Sequence, residues 1–277
     1  MAIHFNQSTV APIVAADGIA RQSLLNQNRV PGILFALDRL TVPPGGRKEI
    51  AIAADELAWF QMLAGTGVIH TAGHALALTT SHIGLLPPGF TGALSSDAGA
   101  TLLLASVPEA KQLDPSIGID PPPFRVLDWQ DEPLLQSEHD ARKRIYIVTP
   151  KMFGTRAIRG EMIIYPPGSE CPVHHHRGGA HFMFFLAGRG TCYAGRDQIM
   201  PVQPGDVIYY DDLEPHWVKG GSDGDLIFSE FFVPSAVETV WADATKICTW
   251  IPTGLTHRGG RPSRLIEKHA HSHLAEV

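Results

Sequence analysis

Residues 168–190, GSECPVHHHRGGAHFMFFLAGRG, decide the fold, because a cluster of histidines lies inside a run that is typical of a β-hairpin. Side chains on a strand alternate between its two faces, so His174 and His176 share one face while His175 points away from it. The Arg-Gly-Gly-Ala break predicts a turn, and His181 opens the apolar strand that follows. Imidazoles two apart on one strand and a third across the turn can converge on one point, as a divalent transition metal requires.

Two motifs carry a resemblance to a known family. The spacing Gly-x5-His-x-His-x4-His-x6-Gly is similar to the first motif of the cupin superfamily, in which Glu usually stands at the position of His181. Residues 204–206, read as Pro-Gly-Asp, and the later Pro215 and His216 resemble the second cupin motif. An exposed His-rich hairpin, which is the alternative, would need neither this turn nor a fourth histidine. The resemblance implies a double-stranded β-helix (jelly-roll) barrel with one divalent transition metal ion (Mn, Fe, Ni or Zn) at His174, His176, His181 and His216.

Composition excludes several classes of protein. The chain has 277 residues, of which 44% are hydrophobic and 18% are charged, enough for two domains with sizeable cores. Its formal net charge of −6 and its pI near 6.1 argue against a nucleic-acid binder. We expect no signal peptide and no membrane span, because no basic and apolar leader opens the chain and no apolar run approaches about 18 residues. Three cysteines without a CxxC pair indicate a reduced compartment, and we expect a cytoplasmic protein.

A series of short strands with Gly and Pro turns occurs twice, which predicts an all-β chain. Pro-Pro-Gly at 43–45 matches 166–168, and Leu-Ala-Gly at 63–65 matches 186–188, so both matches are 123 residues apart (166 − 43 and 188 − 65). A constant offset across two separated anchors indicates an internal duplication. We therefore predict a bicupin with two tandem cupin barrels: 1–110 for the first barrel, 111–144 for a linker, 145–250 for the metal-binding barrel and 251–277 for a polar tail.

The same offset predicts that the first barrel lacks metal ligands. Each predicted ligand of the second barrel falls on alanine in the first, at Ala51, Ala53, Ala58 and Ala93. Alanine has no donor atom in its side chain, so only the second barrel is expected to bind metal. The histidines that the first barrel does contain fall at other positions.

Three residues near the predicted ligands are candidates for catalysis: Arg159, Glu161 and Tyr210. Arg159 and Glu161 share one face of an otherwise apolar strand. If that face points into the barrel, Arg159 is placed to bind a substrate carboxylate and Glu161 to act as acid or base. If it points outward, both are solvent or interface residues. Tyr210 flanks the second motif at the barrel mouth.

Two groups away from the hairpin have structural interpretations. The basic cluster at 142–144 is typical of a solvated face or an interdomain contact, with anion binding as the alternative. The tail carries alternate histidines, His269, His271 and His273, a pattern that can chelate adventitious metal. A solvated segment or a short helix is the expectation for that tail.

The organisation of the chain resembles that of ureidoglycine aminohydrolases, bicupins with a metal-free first barrel and manganese in the second. That family uses Glu-x-His, His and Gln where this chain has its four histidines, so the substrate stays open. The resemblance implies a metal-dependent enzyme with hydrolytic or lyase-type chemistry on a small polar, carboxylate-bearing metabolite, and a homodimer or higher oligomer. Four neutral imidazoles leave the charge of a bound cation intact, which favours Lewis-acid chemistry. The alternatives are an Fe(II)-dependent dioxygenase that cleaves a dihydroxy-aromatic or diketone substrate, and a non-catalytic cupin that binds a small molecule.

Overall fold

A computed structural model of the chain describes residues 1–245, 248–270 and 277. The chain divides into two compact units. The first unit comprises Ser8–Asp128 and Phe153–Ala157, and the second unit comprises Met1–Gln7, Trp129–Met152 and Ile158–Val277. Among the described residues, no helix has the length and apolar character that crossing a bilayer requires.

Most of the regular structure is extended. The strands up to residue 128 are β1 (Ile3–Asn6), β2 (Ile13–Val14), β3 (Ala20–Leu25), β4 (Ala36–Val42), β5 (Gly46–Ala51), β6 (Leu57–Gly65), β7 (Gly67–Thr71), β8 (His74–Leu78), β9 (His82–Leu86), β10 (Thr91–Ser96), β11 (Ala100–Val107) and β12 (Arg125–Asp128). The later strands are β13 (Pro133–Ser137), β14 (Lys143–Val148), β15 (Arg159–Tyr165), β16 (His174–Arg177), β17 (Ala180–Ala187), β18 (Gly190–Ala194), β19 (Gln198–Val202), β20 (Asp206–Tyr210), β21 (His216–Gly220), β22 (Leu226–Val233), β23 (Glu238–Trp241), β24 (Thr249–Thr256) and β25 (His269–Ala270). The described helices are short: α1 (Ala110–Leu113), α2 (Pro150–Phe153) and the 3-10 turns Gln7–Thr9, Pro115–Gly118 and Trp129–Asp131.

Each unit consists of one larger and one smaller antiparallel sheet. In the first unit the sheets run in the orders β12-β9-β6-β11-β4-β3-β2 and β5-β10-β7-β8. In the second unit they run in the orders β1-β20-β17-β22-β15-β14-β13-β24-β25 and β19-β18-β21-β16-β23. Apolar side chains of the two sheets meet in one core within each unit. The predicted all-β jelly-roll class is confirmed.

The strand bounds follow the predicted duplication over much of each unit. β3 and β4 correspond to β14 and β15 at an offset of 123 residues, as β7 corresponds to β18. Later strands depart from that offset: β10 and β21 begin at residues 91 and 216, which are 125 residues apart (216 − 91). His174 pairs with His216, whereas Ala51 pairs with Thr91. The prediction that Ala93 is the counterpart of His216 is therefore wrong, because the second unit has a longer connection before β21.

The start of the chain and the segments predicted as a linker and a tail contain strands. β1 pairs with β20 of the second unit, although it lies within the predicted first barrel. The predicted linker, 111–144, contains β12, β13 and the start of β14, and the predicted tail, 251–277, contains most of β24 and all of β25. Polar residues, Pro and Gly interrupt the apolar alternation of these strands, so their pairing depends on neighbours that a local pattern does not reveal.

Candidate metal centre

Three strands of the second unit bring together the four histidines of the two motifs. β16 carries His174 and His176, β17 carries His181 near its start, and β21 begins at His216. His174 lies directly opposite His216 in the antiparallel pair of β16 and β21. His181 belongs to the larger sheet, where it lies opposite Phe232. The two sheets thus contribute imidazoles to one point inside the barrel.

The four imidazoles form a compact cluster. Ring centroids lie 4.4 Å apart for His174 and His216, 4.7 Å for His176 and His181, and 4.8 Å for His181 and His216. The His176 ring is also 5.1 Å from that of His174 and 5.2 Å from that of His216. One ligand atom from each of His174, His176 and His216 lies within 4.8 Å of the other two. Donor atoms at this separation can share one cation.

Hydrogen bonds of two imidazoles determine which ring nitrogen has a lone pair for a metal. Nδ1 of His174 lies 2.9 Å from the carbonyl oxygen of Pro172, and Nδ1 of His216 lies 2.8 Å from that of Glu214. Because a carbonyl oxygen only accepts, Nδ1 carries the proton in both neutral rings, which leaves the lone pair on Nε2. Within the part of the chain that the structure describes, the buried Nε2 of His216 has no hydrogen-bond partner. Histidines that ligate metals are typically held in this way by the other ring nitrogen.

Burial keeps three of these imidazoles neutral. It lowers the pKa of His174 to about 3 and holds the pKa of His181 and of His216 well below the ordinary value, and neighbouring charges lower all three further. A neutral imidazole offers its lone pair to a cation without first losing a proton. The residues present therefore fit a divalent transition metal ion.

Glu230 is an acidic neighbour of the cluster that sequence reasoning missed. Its Oε1 lies 3.4 Å from Nε2 of His181, and donor atoms of Glu230, His176 and His181 lie within 4.8 Å of one another. Burial, with help from the charge of Glu161, raises the pKa of Glu230 to about 8 against the opposing effect of nearby guanidinium groups. The signal in the sequence is a single acid within the apolar strand LIFSEFFV.

Arg159 and Glu161 face the interior of the barrel. Arg159 lies opposite Phe232 and Glu161 opposite Glu230 in the pair of β15 and β22, so both share the face of His181. Each is fully buried. Glu161 Oε2 lies 2.6 Å from Nε of Arg144, and its Oε1 lies 3.4 Å from Nη2 of Arg159. The carboxylate therefore compensates two buried cations.

Tyr210, the third candidate for catalysis, packs against the imidazoles. Its ring stacks 4.3 Å from that of His216 and 5.0 Å from that of His181. Burial, reinforced by the nearby thiol of Cys192, raises the pKa of Tyr210 well above its ordinary value. The phenol stays neutral at physiological pH, and the stacked ring fixes the planes of both imidazoles.

A cavity of about 20 Å³ lies beside the cluster. His174, His176 and Glu230 line it, and so do two guanidinium groups, those of Arg142 and Arg144. The side chains of Trp241 and Trp250 form an aromatic part of its wall. A void of this size holds about one water, so a larger ligand fits only with movement of side chains. The described residues that line it do not include the three candidates for catalysis, Arg159, Glu161 and Tyr210.

Arg142 and Arg144 are buried, so the prediction of a solvated face for the cluster at 142–144 is wrong for both arginines. Arg142 donates to both oxygens of Asp140, at 2.8 and 2.6 Å. The guanidinium carbon of Arg144 lies 4.2 Å from the centroid of the Trp250 ring. The two arginines are two residues apart, so the sequence predicts that they share one face of an extended segment. It does not predict that this face is buried, because burial of a charge depends on a partner elsewhere in the chain.

In the described ranges, two groups of His, Cys, Asp or Glu side chains are close enough to hold a metal, and both lie in the second unit.

The first histidine of the predicted tail, His269, is buried, and its Nε2 lies 2.9 Å from the hydroxyl oxygen of Tyr146. His269 therefore belongs to a polar network inside the sheet and not to a solvated tail. His271 and His273 lie outside the described residues.

Known proteins share this fold. Residues 161–233 match the cupin domain family. Comparison with curated proteins finds no match. A structure of oxalate decarboxylase from Bacillus subtilis at pH 4.6 is similar, with a TM-score of 0.67 and 15% identity over 86% of this chain and 78% of that chain. A second oxalate decarboxylase structure, on the substrate binding mode and a reaction specificity switch, has a TM-score of 0.68 and 15% identity over 86% of this chain and 79% of that chain. A third, on the Mn(II) centres of the Bacillus subtilis enzyme, has a TM-score of 0.67 and 14% identity over the same 86% and 79%.

Proposed function

Because residues 161–233 match the cupin domain family, we propose that the second unit is a metal-dependent enzyme acting on a small carboxylate. The observation that carries the proposal is one cavity lined both by imidazoles, His174 and His176, and by guanidinium groups, Arg142 and Arg144. A metal and fixed positive charge beside one cavity are suited to a small anionic substrate. The fold shared with oxalate decarboxylase supports the choice of substrate class.

The donor set suits manganese. His174, His176, His181 and His216 would hold the ion, and Glu230 stands beside them as an acidic donor. We propose manganese because Mn(II) centres are named for the similar oxalate decarboxylase. When bound, a divalent ion supplies Lewis acidity toward a carboxylate or a water molecule. A neutral imidazole brings no negative charge, so Glu230, on losing its proton as the ion binds, is the group that would neutralise part of the charge of the ion.

Arg142 and Arg144 are the groups that would orient the carboxylate. Arg142 pairs with Asp140, and Arg144 pairs with Glu161. Each guanidinium has five N–H donors, so a substrate carboxylate in the cavity would be a further acceptor for them. The ring of Trp250 lies under both guanidinium groups and restricts their movement. A planar fork of donors matches the geometry of a carboxylate.

The number of protein donors near the cluster favours a reaction that needs few open positions on the metal. The four imidazoles would hold the ion, and Glu230 lies beside His176 and His181 as a further donor, so the protein would occupy most positions of a six-coordinate ion. A dioxygenase that binds substrate and O₂ together needs more than one. Lyase-type cleavage, with release of CO₂ from the carboxylate and a proton added in its place, would need a position for the carboxylate alone. The small cavity favours this reaction over hydrolysis, because it has little space for water and substrate together.

Glu230→Gln is expected to weaken manganese affinity by about 10- to 100-fold, because glutamine keeps the size of the side chain but cannot lose a proton to give a carboxylate that faces the ion. Competition with a chelator measures the dissociation constant. Glu238→Gln is the matched control, since the side chain of Glu238 is 56% exposed and pairs with Arg177 at the surface. Equal manganese affinity in Glu230→Gln and the unsubstituted protein would contradict the role of Glu230 beside the metal.

Arg142→Lys is expected to raise KM for the carboxylate by about 10- to 100-fold with a smaller effect on kcat, because lysine keeps the charge and loses the planar fork. Steady-state kinetics of the manganese-loaded protein separate the two constants. Arg177→Lys, at an arginine whose side chain is 59% exposed, should leave both unchanged. An unchanged KM in Arg142→Lys would remove this arginine from substrate binding.

Turnover by the manganese-loaded protein tests the proposed reaction. The substrates are oxalate, a ureido acid and a dihydroxy-aromatic acid, with CO₂, ammonia and O₂ uptake recorded for each. We expect CO₂ from the small carboxylate without net O₂ uptake. Ammonia from the ureido acid, or O₂ consumption with the aromatic acid, would contradict lyase chemistry. The absence of turnover with all three would contradict the assignment of an enzyme acting on these classes.

A further inference from the structure

The first unit contains a cavity of about 420 Å³ that the proposed metal chemistry does not use. Asp38, Ala58, Leu104 and Ser106 line it from the larger sheet, and Ala51 lines it from the smaller sheet. The volume lies in the range of about 300–1,000 Å³ that is typical of pockets for small molecules. It is far larger than the 20 Å³ cavity beside the imidazoles.

The duplication explains the origin of this space. Ala51 and Ala58 occupy the positions of His174 and His181 at the offset of 123 residues, and both line the cavity. Methyl groups thus replace two imidazoles. The cavity is open to solvent, because Ile13 and Ala51 of its lining are exposed. A small molecule can therefore enter it from solution and contact the buried residues at its base.

Asp38 offers an acceptor to that ligand. The residue is 9% exposed, and its Oδ2 lies 2.7 Å from Nη2 of Arg21. Its Oδ1 is buried and, in the described ranges, has no hydrogen-bond partner. A buried acceptor without a donor is unfavourable, so a donor group on a ligand would gain a hydrogen bond that the folded chain leaves unmade.

The second unit shows which partner Asp38 lacks. Glu161, at the matching position, has two cationic partners, Arg144 and Arg159. The offset of 123 residues matches Arg144 with Arg21 but matches Arg159 with Ala36. The first unit therefore keeps the carboxylate and one guanidinium and lacks the second cation.

The lining of the cavity favours a positively charged ligand. The ionisable side chains that line it are Asp17, Asp38, Glu49, Glu56, Arg21 and Lys48, and the rest of the wall is largely isoleucine, leucine and alanine. We propose that this cavity binds a small organic cation, a primary ammonium group on a short apolar chain, with the ammonium donating to Oδ1 of Asp38. The site does not depend on the metal chemistry of the second unit.

Titration of the full chain with n-butylammonium chloride, followed by NMR, tests the proposal. Saturable binding is expected, with a dissociation constant on the order of 1 mM for so small a ligand. Sodium butyrate, which has a similar chain and the opposite charge, should not bind or compete. The absence of saturable binding of n-butylammonium, or equal binding of butyrate, would overturn the proposal.

Variants of the lining locate the binding. Ala58→Leu should abolish binding because it fills the cavity, and Asp38→Asn should weaken binding at least 10-fold because it removes the negative charge. Circular dichroism checks that each variant is folded, and Ala51→Leu, at an exposed position of the lining, replaces Ala58→Leu if that variant does not fold. Metal content of the second unit should be unchanged throughout. Undiminished binding in a folded cavity-filling variant would place the ligand elsewhere and overturn the assignment.

Discussion

His176→Ala is expected to abolish metal retention while leaving the fold intact. The ring of His176 lies within 5.2 Å of those of His174, His181 and His216, and it belongs to both groups of donor atoms that can hold an ion. Its loss therefore removes one donor from each group and the only donor that the two groups share. Inductively coupled plasma mass spectrometry after gel filtration measures the metal per chain.

His175→Ala is the matched control for this change. His175 lies between two of the predicted ligands on the same strand, and the alternation of side chains turns it away from them. It should retain the metal content of the unsubstituted protein. Stoichiometric metal in His176→Ala, or an equal loss of metal in both variants, would contradict the assignment of the site.

Glu161→Gln is expected to destabilise the second unit by about 3–5 kcal/mol, because it removes the negative charge that compensates two buried guanidinium groups. Arg144 and Arg159 would then be left without their shared carboxylate in the core. Urea denaturation followed by far-UV circular dichroism measures the change in the free energy of unfolding. Because two units can unfold separately, the transitions are fitted individually.

The duplication supplies a control within the same chain. Asp38→Asn alters the matching ion pair of the first unit, but its partner Arg21 has a side chain that is 59% exposed and can be solvated by water. A cost of about 1 kcal/mol or less is expected there. Equal costs for the two substitutions would show that burial of the arginines does not determine the importance of Glu161.

Alternation along strands made part of the site predictable. The period of two depends only on the local conformation, so the shared face of His174 and His176 follows from their spacing alone. The turn before His181 and the position of His216 follow from the motifs. The meeting of these four side chains could therefore be predicted without knowing which strands pair.

The charged lining of the barrel was not predictable in the same way. Glu230 meets His181 only because β22 pairs with β17, and Glu161 meets Arg144 only because β15 pairs with β14. A charged residue within an apolar run can face solvent or a buried partner, and only the register distinguishes these cases. For the same reason, a longer connection before β21 made Ala93 the wrong counterpart of His216.

Anomalous diffraction from crystals of the manganese-loaded protein, recorded at the manganese absorption edge, tests the central claim most directly. One peak per chain is expected in the second unit, within bonding distance of Nε2 of His174 and His216 and of the nitrogens of His176 and His181. Peaks only at other positions, or no peak in protein that binds manganese in solution, would contradict the account.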